Sequence, residues 1–247
     1  MAIATFNFYS QSLKKQTQFN VYLPTQLQKQ QPVLFLLHGM GDNQNSWLDN
    51  SSLSRYANEY PFVIVMPDAG RSYYANTAYG ANYWDYLTVE LPTYLQTWLK
   101  LDLSKKNTFV AGLSMGGYGA FKWALRNPDR IGAAVSFSGR LDIGSSWNER
   151  IENFQHIFGS QASFQDSQSN LLNLVADRRV RQLPLFQLIG TDDQLLENNR
   201  TFHTFARQSL DKLDYREQTG NHDWNFWDTY LPTALRWLTE QYRLLNR

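Results

Sequence analysis

The 247-residue chain contains no cysteine, which removes disulfides, thiolate nucleophiles and cysteine-ligated metals together. It also lacks a charge of dominant sign: 23 Lys and Arg face 22 Asp and Glu for a formal net charge of +1, with no basic block and no acidic tail. The electrostatic footprint of a nucleic-acid or anionic-membrane binder is therefore missing. No apolar run is long enough to span a bilayer, and the first 23 residues hold no apolar stretch suited to a signal peptide. The expectation is a cytoplasmic protein that engages neither nucleic acid nor membrane. Internal repeats and low-complexity tracts are absent as well. What the chain does have is aromatic side chains, at 15% of residues, and they cluster beside the motifs described below. That excess suggests an aromatic-lined pocket.

The length suits one medium-sized α/β domain. Short β-branched and aromatic runs alternate with helical stretches from about Val33 onward, the pattern of βαβ units around a mostly parallel central sheet flanked by helices. Strands are predicted at Val33-Leu37, Phe62-Met66, Phe109-Ala111, Ala133-Phe137 and Leu185-Ile189, preceded by alternating N-terminal strands around Phe6, Phe8, Phe19, Val21 and Leu23. Helices are predicted at Leu53-Tyr60, Val89-Lys100, Gly117-Asn127, Asn199-Lys212 and Trp224-Leu245, with Pro92 tolerated only in a first turn. Residues 140–181 break the rhythm. Their Ser, Gln and Asn content, with Ile151, Phe154, Ile157 and Phe158 at helical spacing, reads as a cap-like insertion within a single domain.

The sharpest chemical signal is Gly112-Leu113-Ser114-Met115-Gly116, between a predicted strand and a predicted helix. A serine on so tight a turn takes a strained backbone, and the flanking glycines leave room for neighbouring chain, so the hydroxyl stands exposed at the sheet edge. A serine hydroxyl is a weak nucleophile. It needs a base within hydrogen-bond reach and a carboxylate that holds the base in the right tautomer. Of the histidines beyond Ser114, His156 lies in the cap and His203 in a helix, whereas His222 sits in the turn Gly220-Asn221-His222-Asp223. The acid belongs after the strand Leu185-Ile189, where Asp192 and Asp193 are both candidates, and either could instead cap the next helix. The oxyanion formed on attack requires backbone donors: the Met115 N–H follows the nucleophile, and the loop His38-Gly39-Met40-Gly41 supplies the Met40 N–H. His38 itself reads as a structural residue.

These residues make the chain resemble the putative esterase family of α/β-hydrolases, most nearly the bacterial tributyrin esterases, relatives of S-formylglutathione hydrolase. The similarity runs almost end to end through Leu37-His38-Gly39-Met40, Val65-Met66-Pro67, Tyr79-Gly80 with Tyr83, Glu90-Leu91-Pro92, Ala111 to Gly119, Ser136-Phe137-Ser138-Gly139 and His222-Asp223-Trp224 with Trp227. The resemblance implies an α/β-hydrolase fold and hydrolysis of short-chain acyl esters, acetyl or butyryl, through an acyl-enzyme, with a small-molecule ester as partner and neither metal nor organic cofactor. It places the acid at Asp193. Thioester-hydrolysing relatives usually carry a cysteine near the oxyanion loop, and its absence favours simple esters. Related enzymes often self-associate, so a homo-oligomer is compatible with the resemblance. Tyr79, Tyr83, Trp84, Trp224 and Trp227 are candidates for the substrate pocket wall; core packing is the competing role for each. An acyltransferase or a catalytically silent binding module on the same scaffold are the alternative functions.

Overall fold

The computed structural model describes residues 1–25, 31–78 and 80–247. Eight strands, β1 (Ala2–Ser10), β2 (Lys15–Leu23), β3 (Val33–Leu37), β4 (Val63–Pro67), β5 (Thr108–Leu113), β6 (Ala133–Phe137), β7 (Leu185–Gly190) and β8 (Leu213–Gln218), form one sheet in the order β1-β2-β4-β3-β5-β6-β7-β8. The first hairpin is antiparallel and β2 pairs antiparallel with β4; every later pairing is parallel. The helices are α1 (Ser46–Asn50), α2 (Leu53–Tyr56), α3 (Tyr83–Asp85), α4 (Leu91–Trp98), α5 (Met115–Arg126), α6 (Ile151–Phe158), α7 (Gln161–Gln165), α8 (Leu171–Leu174), α9 (Leu196–Ala206) and α10 (Trp224–Leu245). This is the mostly parallel, helix-flanked sheet that the alternation predicts. No helix among the described residues is long and apolar enough to cross a membrane.

All residues of β3 to β7 are buried, because helices cover both faces, and so these strands read as unbroken apolar runs. The two-residue period of a strand splits them between two cores. Val33, Phe35, Leu37, Val63, Val65 and Val110 pack with Leu91, Leu95, Phe121, Phe154 and Phe202 on one side. Leu34, Leu36, Ile64, Met66, Phe109 and Val135 pack with Trp47, Leu53, Leu231, Leu235 and Leu238 on the other. The segment between β6 and β7 joins the first core through Trp147, Phe154, Ile157, Phe164 and Leu171.

Pro92 lies in the first turn of α4, as expected, but that turn continues an earlier helical run: α3 passes into a π-helical turn at Tyr86–Glu90 and then into α4. A wider turn shifts the backbone pairing just where proline offers no N–H and its ring would crowd the preceding carbonyl. The predicted helix Leu53-Tyr60 is α2 continued by a 3-10 turn at Ala57–Glu59.

Lys122 on α5 is fully buried. Its ammonium nitrogen lies 4.9 Å from the centre of the Trp84 ring and 5.3 Å from that of Tyr118, and donates to the Tyr73 carbonyl at 3.3 Å. Burial, reinforced by the nearby Arg126 charge, holds its pKa well below 10.5. The unfolded chain thus binds the extra proton between the folded pKa and 10.5, so stability rises with pH across that window and is lost as pH falls. Denaturant unfolding between pH 7 and 10 should show this rise, at most about 1.4 kcal/mol per pH unit, and Lys122→Met should remove it. An unchanged slope in the variant would mean that the folded amine stays protonated.

Candidate active site

The parallel strands direct their C-terminal ends to one edge of the sheet, where the loops after β3, β5, β7 and β8 meet. Ser114 follows β5 and precedes α5 with φ 53° and ψ −114°, a conformation that costs a non-glycine residue of order 1–3 kcal/mol. Two glycines make the turn sterically feasible. A side chain at Gly112 would overlap the Gly116 carbonyl, and one at Gly116 would overlap the Leu37 carbonyl at the end of β3. The Ser114 N–H is tied to the Phe137 carbonyl at 2.8 Å, which fixes the turn against β6.

His222 lies in the turn after β8, and its Nε2 is 2.9 Å from Ser114 Oγ. Its Nδ1 lies 3.0 and 2.9 Å from the two carboxylate oxygens of Asp193. A carboxylate only accepts, so Nδ1 carries the proton and Nε2 presents its lone pair to the serine hydroxyl, which donates. The Asp193 side chain is fully buried and that of His222 is 19% exposed, so the carboxylate is shielded while the imidazole reaches the surface. Asp193 Oδ1 also accepts from the Leu195 N–H at 2.8 Å. The bracing role available to Asp192 thus falls to Asp193 as well; Asp192 is exposed, and its carboxylate meets the Thr191 hydroxyl at 3.3 Å.

Met115 opens α5, where the first N–H groups have no intrahelical acceptor and point toward the turn that holds Ser114. Met40 is half-buried in the loop after β3. That loop runs beside Ser114: a Cβ built on Gly39 would lie 3.8 Å from Ser114 Cβ.

The aromatic candidates divide. Trp227 meets His222 edge-on at 5.2 Å and donates from its indole nitrogen to Ser138 Oγ at 3.2 Å. Trp224 sits edge-on to Trp227 at 5.3 Å and to Trp47 at 5.2 Å, and Trp47 donates to the Leu37 carbonyl at 3.0 Å. Together they brace the imidazole from the end of β3. Trp84 is packed on Lys122 and on Arg126, whose guanidinium lies 4.1 Å from its ring centre, toward the C-terminal half of α5. Tyr83 lies under the Lys15 ammonium at 5.7 Å. Among the described residues, Tyr83 and Trp84 thus pack on Lys15, Lys122 and Arg126, the core and surface role that competes with a pocket wall. Tyr79 lies outside the described residues. Trp47 and Ser138 were not singled out from sequence. Ser138 has φ 49°, and the Ser136-Phe137-Ser138-Gly139 motif was the available signal.

Comparison with known proteins bears on the family and the fold. The family model described as Putative esterase matches residues 10–238. An acetyl esterase of Caldicellulosiruptor saccharolyticus is 26% identical over 263 residues, covering 97% of this chain and 99% of that protein. Among solved structures, the substrate-bound fluorophosphonate-binding serine hydrolase FphF of Staphylococcus aureus superposes with a TM-score of 0.87 at 27% identity, covering 96% of this chain and 98% of that one. An S-formylglutathione hydrolase (FrmB) from Staphylococcus aureus matches with a TM-score of 0.86, also at 27% identity and with the same coverage. The sheet order and flanking helices are thus those of the α/β-hydrolase fold.

Proposed function

This chain belongs to the putative esterase family and is a carboxylic-ester hydrolase; from that premise we propose that it is a serine esterase acting on short-chain esters, acetyl above all, through an acyl-enzyme. The observation that carries the reading is the connected line Ser114 Oγ, His222 Nε2, His222 Nδ1 and Asp193 carboxylate, each link 2.9 to 3.0 Å. Ser114 Oγ attacks the acyl carbon as its proton passes to Nε2, and the buried Asp193 carboxylate stabilises the imidazolium that results. The carbonyl oxygen becomes an oxyanion, which the N–H groups of Met40 and Met115 stabilise. Collapse breaks the bond to the alcohol oxygen, and the alcohol departs with the proton from Nε2. Water then repeats the sequence on the acyl-enzyme, with Nε2 as base, and releases the acid.

The preference for a short acyl group rests on the acetyl esterase among the relatives. Acetylated sugars and aryl esters are substrates of the same class, since the alcohol departs before the acyl-enzyme is resolved. The test is initial rates on chromogenic acetate, butyrate and palmitate esters, with and without a chelator. Acetate and butyrate should be turned over well ahead of palmitate, and the chelator should leave the rates unchanged, because each step above uses only side chains and backbone amides. Faster palmitate turnover would overturn the acyl assignment. Loss of activity restored by a divalent ion would overturn the mechanism.

A further inference from the structure

His38 takes no part in the proton transfers above, yet it is buried at the end of β3, directly before the oxyanion loop. Its two ring nitrogens face opposite demands. Nδ1 is 2.7 Å from the Gly39 carbonyl oxygen, which can only accept, and Nε2 is 2.9 Å from the Ala69 N–H, which can only donate. The ring is therefore the neutral tautomer with its proton on Nδ1. The Asp68 carboxylate, 3.8 Å from Nε2, is beyond hydrogen-bond reach and accepts instead from the Gly70 N–H at 3.0 Å. Burial also lowers the His38 pKa, against the opposing pull of Asp68 and Asp42.

The carbonyl that His38 holds belongs to the peptide unit whose N–H is that of Met40. In a planar trans peptide the C=O and N–H point in opposite directions, so gripping the Gly39 oxygen on one side fixes the direction of the Met40 N–H on the other. The neighbouring peptide is held as well. The Tyr74 hydroxyl donates to the His38 carbonyl at 2.8 Å, the Gly39 N–H donates to Asp42 Oδ2 at 3.2 Å, and the Asp42 N–H reaches the Gly39 oxygen at 3.3 Å. We propose that His38 is a positioning residue for the reaction: its Nδ1–H orients the Gly39–Met40 peptide so that the Met40 N–H points at the oxyanion. This rests on the serine-esterase reading, because the oxyanion exists only in that chemistry.

Two substitutions separate the ring's two contacts. Asparagine can place an amide N–H where Nδ1 stands; glutamine can place an amide oxygen near Nε2 to keep the Ala69 contact while offering no donor to Gly39. For an acetyl ester, His38→Gln is expected to lower kcat by about 10²- to 10³-fold, the loss that follows removal of one oxyanion donor, with KM little changed. His38→Asn should stay within about tenfold of wild type. Affinity for a trifluoromethyl ketone, which forms a tetrahedral adduct with the serine, should fall in step with kcat/KM, and melting curves should show both variants folded. Wild-type kcat in folded His38→Gln would overturn the proposal. So would a His38→Asn chain that is as impaired as His38→Gln or that fails to fold, and this second arm decides the matter should His38→Gln itself not fold. Failure of the underlying esterase reading would look different, since wild type itself would then not turn over the ester.

Discussion

Ser114→Ala should leave the fold in place and remove ester hydrolysis, with kcat falling on the order of 10⁶-fold, the scale seen when a serine nucleophile is deleted from a triad. The hydroxyl's hydrogen-bond partner among the described residues is His222 Nε2, whereas the turn is held by the Ser114 N–H on Phe137 and by the close approach of Gly112 and Gly116 to neighbouring carbonyls. Alanine keeps all of those and has the same backbone requirement, so the melting temperature should change little. A fluorophosphonate should label the wild-type chain at Ser114 and leave the variant unlabelled. Near-normal turnover in the variant, or mass mapping of the label to another residue, would sink the assignment of the nucleophile.

The next largest loss is expected at Asp193. In Asp193→Asn the carbonyl oxygen of the new amide can still serve the Leu195 N–H, but its NH₂ group then faces Nδ1–H, donor against donor. The imidazole escapes by moving its proton to Nε2, where it can no longer accept from Ser114, and the imidazolium formed in the reaction loses its counter-charge. Turnover should fall by about 10⁴-fold. Asp192→Asn changes an exposed carboxylate whose contact is the Thr191 hydroxyl, and should keep near-wild-type turnover and melting temperature. Kinetics on the two purified variants decide between adjacent residues. A normal rate for Asp193→Asn beside a collapsed rate for Asp192→Asn would reverse the roles.

Much of this was legible before any coordinates. The turn Gly112-Leu113-Ser114-Met115-Gly116 was readable because its chemistry demands glycines at fixed offsets, and His222 because a loop after the last strands is the place from which a base can reach back to a serine. The five buried strands were readable because burial on both faces leaves only apolar residues. The same physics hid β8. Leu213–Gln218 is an edge strand of half-buried and exposed residues, LDYREQ, so it carries neither an apolar run nor a clean alternation, and the preceding helix was extended to Lys212 although α9 ends at Ala206. The choice between Asp192 and Asp193 was not decidable from residue type, since side-chain direction in a turn depends on backbone angles; resemblance supplied it. Composition could say that aromatics gather near the motifs. It could not distinguish Trp227, against the imidazole, from Trp84, packed on Lys122 and Arg126, because both functions use the same apolar face.

His222 lies 108 residues from Ser114 and 29 from Asp193 in the chain, and the loops carrying them are brought together only when β7 and β8 have paired along the sheet. Until then Ser114 is an ordinary alcohol with no base beside it. Chain entropy must be lost before such distant loops can meet, so the base stands beside the hydroxyl only in a molecule whose sheet has closed over both separations. A half-assembled molecule would therefore carry an inert serine, harmless to any ester it met and invisible to a phosphonate probe, and labelling would count finished molecules.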